Sequence, residues 1–301
     1  MGAEQLLKGN FGLFNHYLYG NSNWVETTNN LDIPRLAKNI AETGASYYFI
    51  TLMQQTKYML APNKSYDEIA GTKPGEACAI RDVPMELGHE LKKYGVDLYL
   101  YYTGDGPYRD DVIGRKFGFI EPRKNISMDF VDKWTAVLRE YSIRYGDLVK
   151  GWWIDGCYRN DFNYTDEMLD KYHEACKAGN PDCIVCTNQG VNFSDDISAS
   201  GKYEEFTCGE ELDFTKVPKS QFYGNAQAHL LIPIGVAPNG NNSDSWCKPG
   251  IKRDAAFIAD YIRKLKEVPC ALTIDICIGP DGSYDPVQVE TLKKVTEMLS
   301  K

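Results

Sequence analysis

Short apolar runs recur along the whole chain, and this alternation limits its fold more than any other feature. Segments with helical spacing of apolar residues lie between the runs. Such alternation is typical of an α/β protein with a parallel sheet. Eight units spread over 301 residues favour a closed TIM-type (β/α)8 barrel over an open sheet. The predicted strands are residues 11–18, 47–53, 96–102, 151–156, 182–188, 204–210, 229–235 and 271–278.

Capping residues mark the beginnings of several predicted helices. Asp32 precedes Pro34 at the start of the first of them, and Gly44 follows its end. Ser127 and Asp285 stand at the same position before two later helices. These signals support the barrel pattern at both ends of the chain.

The fifth and sixth units are less regular than the others. Residues 189–203 and 211–228 have no helical pattern, and we predict long loops there. No linker rich in Ser, Gly or Pro divides the chain. We therefore predict a single (β/α)8 domain over residues 1–301, with irregular fifth and sixth units.

Charge and composition exclude several classes of partner. The formal net charge is −9, and no basic run typical of nucleic-acid binding is present. The first 20 residues contain no apolar stretch of signal-peptide or membrane-span length. We expect a cytoplasmic protein, or an exported one whose leader has been removed, that acts on a neutral or weakly charged substrate. The oligomeric state stays open.

Cysteine and glycine motifs do not indicate a metal or a cofactor. Cys183 and Cys186 are three residues apart in an apolar run, where they should point to opposite faces of a strand. No second pair follows at zinc-ribbon spacing, so we expect reduced core cysteines. Motifs of the HExxH, GxSxG, P-loop and dinucleotide-binding types are absent from the sequence. The sequence thus predicts no metal and no cofactor.

Polar and aromatic residues cluster at the carboxyl ends of the predicted strands, where barrel enzymes place their active sites. Carboxylates and amides can bind sugar hydroxyls, and aromatic faces can pack against sugar rings. The mixture therefore predicts a carbohydrate site. The strand-end candidates are Asn15, His16, Gln54, Gln55, Tyr102, Asp105, Asp155, Asn188, Glu210 and Asp275, and the candidate sugar platforms are Trp24, Trp153 and Trp246.

Asp155 and Glu210 are the predicted catalytic pair. Asp155 follows an apolar run and should share the inward direction of Trp153, two residues earlier. Glu210 ends the sixth run, where it could face Asp155 across the barrel mouth. Two carboxylates about 5–5.5 Å apart serve a retaining glycosidase as nucleophile and acid/base. The alternative acids are Glu204, Glu205 and Glu211, and the structural alternatives are a loop-capping Asp155 and a solvated Glu210.

Five segments together resemble glycoside hydrolase family 29, the α-L-fucosidases. They are residues 11–20, 42–58, 80–103, 134–158 and 267–295. The resemblance implies a nucleophile at Asp155 and a sugar contact from His16. Where that family usually has a histidine pair after its second strand, this chain has Gln54-Gln55, and the family's usual C-terminal β-sandwich does not follow the barrel.

The function predicted from these observations is that of a retaining exo-glycosidase. It would hydrolyse an α-L-fucoside or a related sugar without a cofactor. Two alternatives remain: a lyase or isomerase that acts on the same kind of ligand, and a sugar-binding protein without efficient hydrolysis. The Gln54-Gln55 pair favours these alternatives, whereas Asp155 favours hydrolysis.

Overall fold

A computed structural model describes residues 2–119, 124–191, 193–238 and 244–301. Seven parallel strands form one sheet in the order β5-β4-β3-β2-β1-β9-β8, and a separate antiparallel hairpin contains β6 and β7. The strands are β1 Gly12–Asn15, β2 Tyr47–Thr51, β3 Asp97–Thr103, β4 Val149–Asp155, β5 Ile184–Thr187, β6 Phe222–Tyr223, β7 Ala226–Gln227, β8 His229–Pro233 and β9 Ala271–Asp275.

Helices connect most of the parallel strands. The predicted cap residues are confirmed: Asp32 accepts a hydrogen bond from Arg35 N at 3.1 Å, and Ser127 accepts one from Phe130 N at 3.1 Å. None of the described helices is long and apolar enough to cross a membrane. The α-helices are α1 Trp24–Asn29, α2 Ile33–Glu42, α3 Lys64–Ala70, α4 Val83–Lys92, α5 Asp111–Phe117, α6 Met128–Tyr145, α7 Arg159–Phe162, α8 Asp166–Lys177, α9 Ala255–Glu267 and α10 Pro286–Leu299.

The sheet separates two apolar cores. Along β4, Trp152 and Ile154 pack in the larger core between the sheet and the helices, whereas Trp153 belongs to a smaller core on the other face. This alternation follows from the two-residue period of a strand. The smaller core also contains Phe14 from β1 and Phe49 from β2. The inner face of the curled sheet is therefore filled with side chains.

Seven of the eight predicted barrel strands are present in the sheet, and the sixth is not a regular strand. Residues 204–211 instead hydrogen-bond to both edges of the sheet without forming a regular strand. Glu205 N donates to Val185 O on β5, and Glu211 N donates to Leu231 O on β8. Because one segment reaches both edge strands, the sheet curls strongly. The structure is thus a curled seven-stranded parallel sheet, and the predicted closed eight-stranded barrel is not observed.

The irregular units lie where the sequence predicts them. No α-helix is present in the described residues that follow β5, 188–191 and 193–203. The predicted loop 211–228 contains the short β6–β7 hairpin, which the sequence analysis did not anticipate. Both irregular segments adjoin residues 204–211, so they surround the part of the fold that carries Glu210.

Candidate active site

Asp155 lies at the carboxyl end of β4, on the same face of the sheet as Trp153. Its Oδ2 accepts a hydrogen bond from the Tyr101 hydroxyl at 2.5 Å, and its Oδ1 accepts one from Asn188 Nδ2 at 2.8 Å. Tyr158 contributes a longer hydroxyl contact to Oδ1 at 3.3 Å. Each of these groups donates to an oxygen of Asp155, which suits an ionised carboxylate that can only accept.

Glu210 is brought to the same site by the irregular segment between the two sheet edges. The preceding residue, Gly209, has a φ of +58°, and a Cβ there would lie 1.8 Å from His229 O. Glycine therefore permits the close approach to β8 that directs the chain toward the pocket. The indole Nε1 of Trp153 donates to Cys208 O at 3.1 Å and attaches this segment to β4.

One amide group connects the two carboxylates. Asn188 Nδ2 donates to Asp155 Oδ1 at 2.8 Å and to Glu210 Oε2 at 2.6 Å. These two oxygen atoms can therefore be at most about 5.4 Å apart, the two bonds end to end. Asn188 is itself held in place, because its Oδ1 accepts a hydrogen bond from Gly190 N at 2.9 Å.

The surroundings of Glu210 favour its protonated form. Burial, and after it the charge of the nearby Asp155, raise the pKa of Glu210 from 4.5 to about 7. The hydrogen bond from Asn188 and the proximity of His16 oppose the increase. A carboxyl group with a pKa near neutrality can donate a proton and later remove one. Two neighbouring carboxylates thus have different environments, as acid/base chemistry requires.

The other candidate glutamates are engaged in contacts of their own. Glu204 is buried and accepts hydrogen bonds from the backbone of Thr187 and Ser200. Glu205 pairs with Lys177 at 2.5 Å. Glu211 forms an ion pair with Lys216, also at 2.5 Å. Of the four glutamates in this segment, Glu210 is the one that shares a cavity with Asp155.

The cavity over Asp155 has a volume of about 190 Å³. His16 lies on its wall, and His16 Nδ1 is 2.9 Å from Asp275 Oδ1. The buried Asp275 also accepts a hydrogen bond from Cys247 N at 2.7 Å. Asp275 therefore orients the imidazole and leaves Nε2 as the ring nitrogen available to a ligand. The lining residues are His16, Leu18, Gln54, Tyr101, Trp153, Asp155, Glu210, Leu231, Trp246 and Cys247.

Aromatic rings form a large part of this cavity. The Trp246 ring lies 5.5 Å from that of His16. Tyr101 and Trp153 stack with centroids 5.4 Å apart and planes inclined by 17°. Trp153 is nearly buried, so Trp246 is the tryptophan better exposed to a sugar ring. Its position agrees with the predicted role of an aromatic platform.

The two adjacent glutamines lie in different settings. Gln54 lines the cavity, with its Nε2 3.5 Å from Asp155 Oδ2. Gln55 has a positive φ of 63°, and its Nε2 lies 3.4 Å from Asp105 Oδ2. Its carbonyl accepts a hydrogen bond from Arg109 N at 2.9 Å. Gln54 is thus positioned for a ligand, whereas Gln55 supports the loop after β3.

Two aromatic residues expected at the site lie elsewhere. Tyr102 is buried in the helix-side core, where its hydroxyl donates to Trp134 O at 3.0 Å. Trp24 packs in the same core and donates to Met59 O at 2.8 Å. Asn15 also faces the helices, with its Nδ2 bonded to Ile276 O.

The sequence analysis missed Tyr101, the residue next to Tyr102. Tyr101 pairs in register with Trp153 of β4, so both side chains point to the inner face. The leucines at positions 98 and 100 share the outer face with Tyr102. The two-residue alternation along β3 is the sequence signal that places Tyr101 on the inner face and Tyr102 on the outer face.

Comparison with known proteins identifies a class of fold but not a family. No protein-family model matches the chain, and no curated protein matches it significantly. Solved structures that resemble it include glycoside hydrolases of two kinds, which cleave fucoidan or α-L-fucosides according to their descriptions.

Two of these structures match almost the full chain. An endo-fucoidan hydrolase of glycoside hydrolase family 107, P5AFcnA, superposes with a TM-score of 0.74 at 15% identity, over 100% of this chain and 94% of its own. A variant of the α-L-fucosidase AlfC, bound to 4-nitrophenyl-α-L-fucopyranoside, superposes with a TM-score of 0.65 at 15% identity, over 99% and 98% of the two chains. At these identities the similarity establishes the fold, and the predicted membership of family 29 is not confirmed.

Proposed function

We propose that this protein is a retaining exo-glycosidase that hydrolyses an α-L-fucoside or a related sugar. The observation that carries the proposal is the pair of carboxylates on Asp155 and Glu210, which accept hydrogen bonds from the same Asn188 amide nitrogen. The two oxygens that share this nitrogen lie no more than about 5.4 Å apart, which is closer than the ~6.5–9.5 Å carboxyl separation of inverting enzymes and favours retention.

The environments of the two groups assign their roles. Asp155 is the nucleophile: its Oδ attacks the anomeric carbon while the bond to the leaving oxygen breaks. Glu210, with its pKa near 7, protonates that oxygen as it leaves. Glu210 then removes a proton from water, the water oxygen attacks the anomeric carbon, and the glycosyl–Asp155 ester breaks. Free sugar is released and both carboxyl groups return to their original states.

The cavity provides groups suited to a single deoxy sugar. His16 Nε2 and the Gln54 amide can bond ring hydroxyls, and the Trp246 ring can pack against an apolar sugar face. Leu18 and Leu231 supply an apolar wall for a methyl substituent such as the one fucose carries. The fucose-active enzymes among the similar structures make α-L-fucose the first sugar to test.

The raised pKa of Glu210 argues against a mere binding protein. A site that only binds neutral sugar gains nothing from two carboxylates placed so close that one charge opposes the other. A lyase or an isomerase could also use a carboxyl acid/base, but neither needs a second carboxylate hydrogen-bonded to the same amide. Hydrolysis with retention is therefore the function the geometry supports best.

Two isosteric substitutions test the assignment. Asp155→Asn removes the attacking carboxylate and should nearly abolish turnover of every substrate. Glu210→Gln removes the proton donor, which should cost about 10²–10⁴-fold in rate with sugar leaving groups and less with activated aryl groups. Azide should partly restore turnover by Glu210→Gln, because a small anion needs no general base, and the product should be a glycosyl azide of retained configuration.

The substrate panel consists of aryl α- and β-glycosides of fucose, galactose, arabinose and rhamnose. NMR of the first-formed sugar reports its configuration. A product of inverted configuration would disprove the retaining mechanism. If Glu210→Gln kept full activity while a substitution at Glu204, Glu205 or Glu211 abolished it, the fold would stand and the choice of acid would be wrong.

A further inference from the structure

A second cavity of about 240 Å³ adjoins the first, and Glu210 lines both. Its walls come from the residues after β5 and from the segment that carries Glu210. Val191 and Ile197 provide apolar surface, and the exposed Ser198 provides a hydroxyl group. The cavity is therefore open to solvent, amphipathic and as large as the one over Asp155.

The wall of the second cavity is fixed relative to the catalytic pair. The Gln189 side chain donates to Cys157 O at 2.6 Å and accepts from Arg159 N at 3.0 Å. Gly190 N donates to Asn188 Oδ1, and Asn188 holds both carboxylates. Because these hydrogen bonds form one chain of contacts, the cavity keeps a constant position with respect to Asp155 and Glu210.

The position of Glu210 between the cavities indicates what the second one binds. In the proposed reaction the anomeric carbon faces Asp155, and the bond that breaks leads to an oxygen protonated by Glu210. The group attached to that oxygen must extend past Glu210, away from Asp155. The second cavity shares Glu210 with the first and is not lined by Asp155, so it is available to the leaving group.

The charges around both cavities indicate a neutral ligand. Among the described residues that line them, none is lysine or arginine, whereas Asp155, Glu210 and Glu211 carry carboxyl groups. Two nearby cations are paired: Lys216 lies 2.5 Å from Glu211, and Arg159, which also donates to Ser200 O, lies 2.5 Å from Asp166. A sulfate or carboxylate on the leaving group would thus meet carboxylates and no partner cation.

We propose that the cavity beyond Glu210 is a subsite for a neutral leaving-group sugar. This inference rests on the proposed glycosidase function and adds to it a substrate class, a neutral oligosaccharide or glycoside with a sugar on the reducing side of the cleaved bond. Glu210 then contacts both parts of the substrate, the sugar over Asp155 and the departing one.

Filling the cavity should separate two kinds of substrate. Ser198→Trp places a large side chain at an exposed lining position, where it can be accommodated without disturbing the core. We expect kcat/KM for an α-L-fucosyl disaccharide to fall at least about tenfold. Hydrolysis of α-L-fucosyl fluoride should change less than about twofold, because fluoride occupies no sugar subsite and needs no such space. Val191→Trp repeats the test from a second lining residue.

The control is Asp195→Trp, which introduces the same ring at an exposed position of the same loop outside the cavity lining. Activity toward the fluoride also shows that each variant is folded. If Ser198→Trp and Val191→Trp cleave the disaccharide as well as the unmodified enzyme does, the subsite is refuted while the glycosidase stands. If the unmodified enzyme releases fluoride from no glycosyl fluoride, both proposals fall.

A charged leaving group tests the neutral class separately. The same disaccharide with a sulfate ester on its reducing-end sugar should be cleaved with a kcat/KM at least about tenfold lower. Equal or faster cleavage of the sulfated disaccharide would refute the inference that the second cavity selects neutral sugars.

Discussion

Glu210→Gln should make the protein more stable at neutral and alkaline pH. Burial and the Asp155 charge raise the pKa of Glu210 from 4.5 to about 7. Between these values the folded state binds more protons than the unfolded state, so the free energy of unfolding falls as the pH rises through this range. Each pKa unit corresponds to about 1.4 kcal/mol, and the total reaches up to about 3 kcal/mol above pH 7.

Glutamine has nearly the same shape as glutamate and no charge. The free energy of unfolding of the variant should therefore not fall with rising pH as that of the unmodified protein does. Urea unfolding at intervals from pH 4 to pH 8, followed by circular dichroism, measures the difference. The two proteins should differ little at pH 4, and Glu210→Gln should become the more stable one by up to about 3 kcal/mol at pH 8. Glu68→Gln, on the exposed side of α3, controls for the loss of one negative charge.

Two results would refute this reasoning. A stability difference that stays constant from pH 4 to pH 8 would mean that Glu210 does not titrate abnormally in the folded state. A variant that becomes less stable than the unmodified protein as the pH rises would mean that the ionised carboxylate is favourably solvated or paired. In either case the pKa of Glu210 would not be raised, and the physical reason for assigning it as the general acid would be removed.

Two further predictions concern the partners of the catalytic pair. Tyr101→Phe removes the hydroxyl donor to Asp155, a hydrogen bond worth about 1.5–3 kcal/mol for a charged acceptor, so kcat should fall about 10- to 100-fold. The control is Tyr102→Phe, on the helix side of the sheet, which should lower stability by about 1 kcal/mol and leave kcat unchanged. Equal effects of the two substitutions on kcat would contradict the assignment of Tyr101 to the site. Asn188→Ala removes a hydrogen bond that lowers the pKa of Glu210, so the alkaline limb of the kcat/KM profile should move to higher pH; an unchanged limb would show that Asn188 does not tune Glu210.

The strands and their orientation could largely be predicted from the sequence. Seven of the eight apolar runs form sheet strands, because each run is continuous and bounded by polar residues or glycine. The position of Asp155 followed from the two-residue period shared with Trp153. The same two-residue period assigns Tyr101, and not Tyr102, to the inner face. The prediction of Tyr102 was wrong because it used the position of the residue at the strand end and not the alternation of side chains along the strand.

The sixth unit shows the limit of such patterns. Residues 204–210 take the place of the sixth strand in the series, yet Glu204 and Glu205 accept hydrogen bonds from backbone N–H groups of β5, and Gly209 adopts a positive φ. Regular pairing is replaced by two isolated bridges, from Phe206 to Gln227 of β7 and from Glu210 to Leu231 of β8. These hydrogen bonds depend on strands that are adjacent in space but distant in the sequence.

What the sequence determined by itself was the parallel α/β architecture, the inward face of each strand and the place of Asp155, since all of these follow from periods of two or 3.6 residues along the chain. What only the tertiary structure decided was which glutamate faces Asp155 and how its proton is held. Asn188 is 33 residues from Asp155 and 22 from Glu210 in the sequence. Desolvation and charge proximity depend on distance in space, so the pKa of Glu210 is a property of the fold.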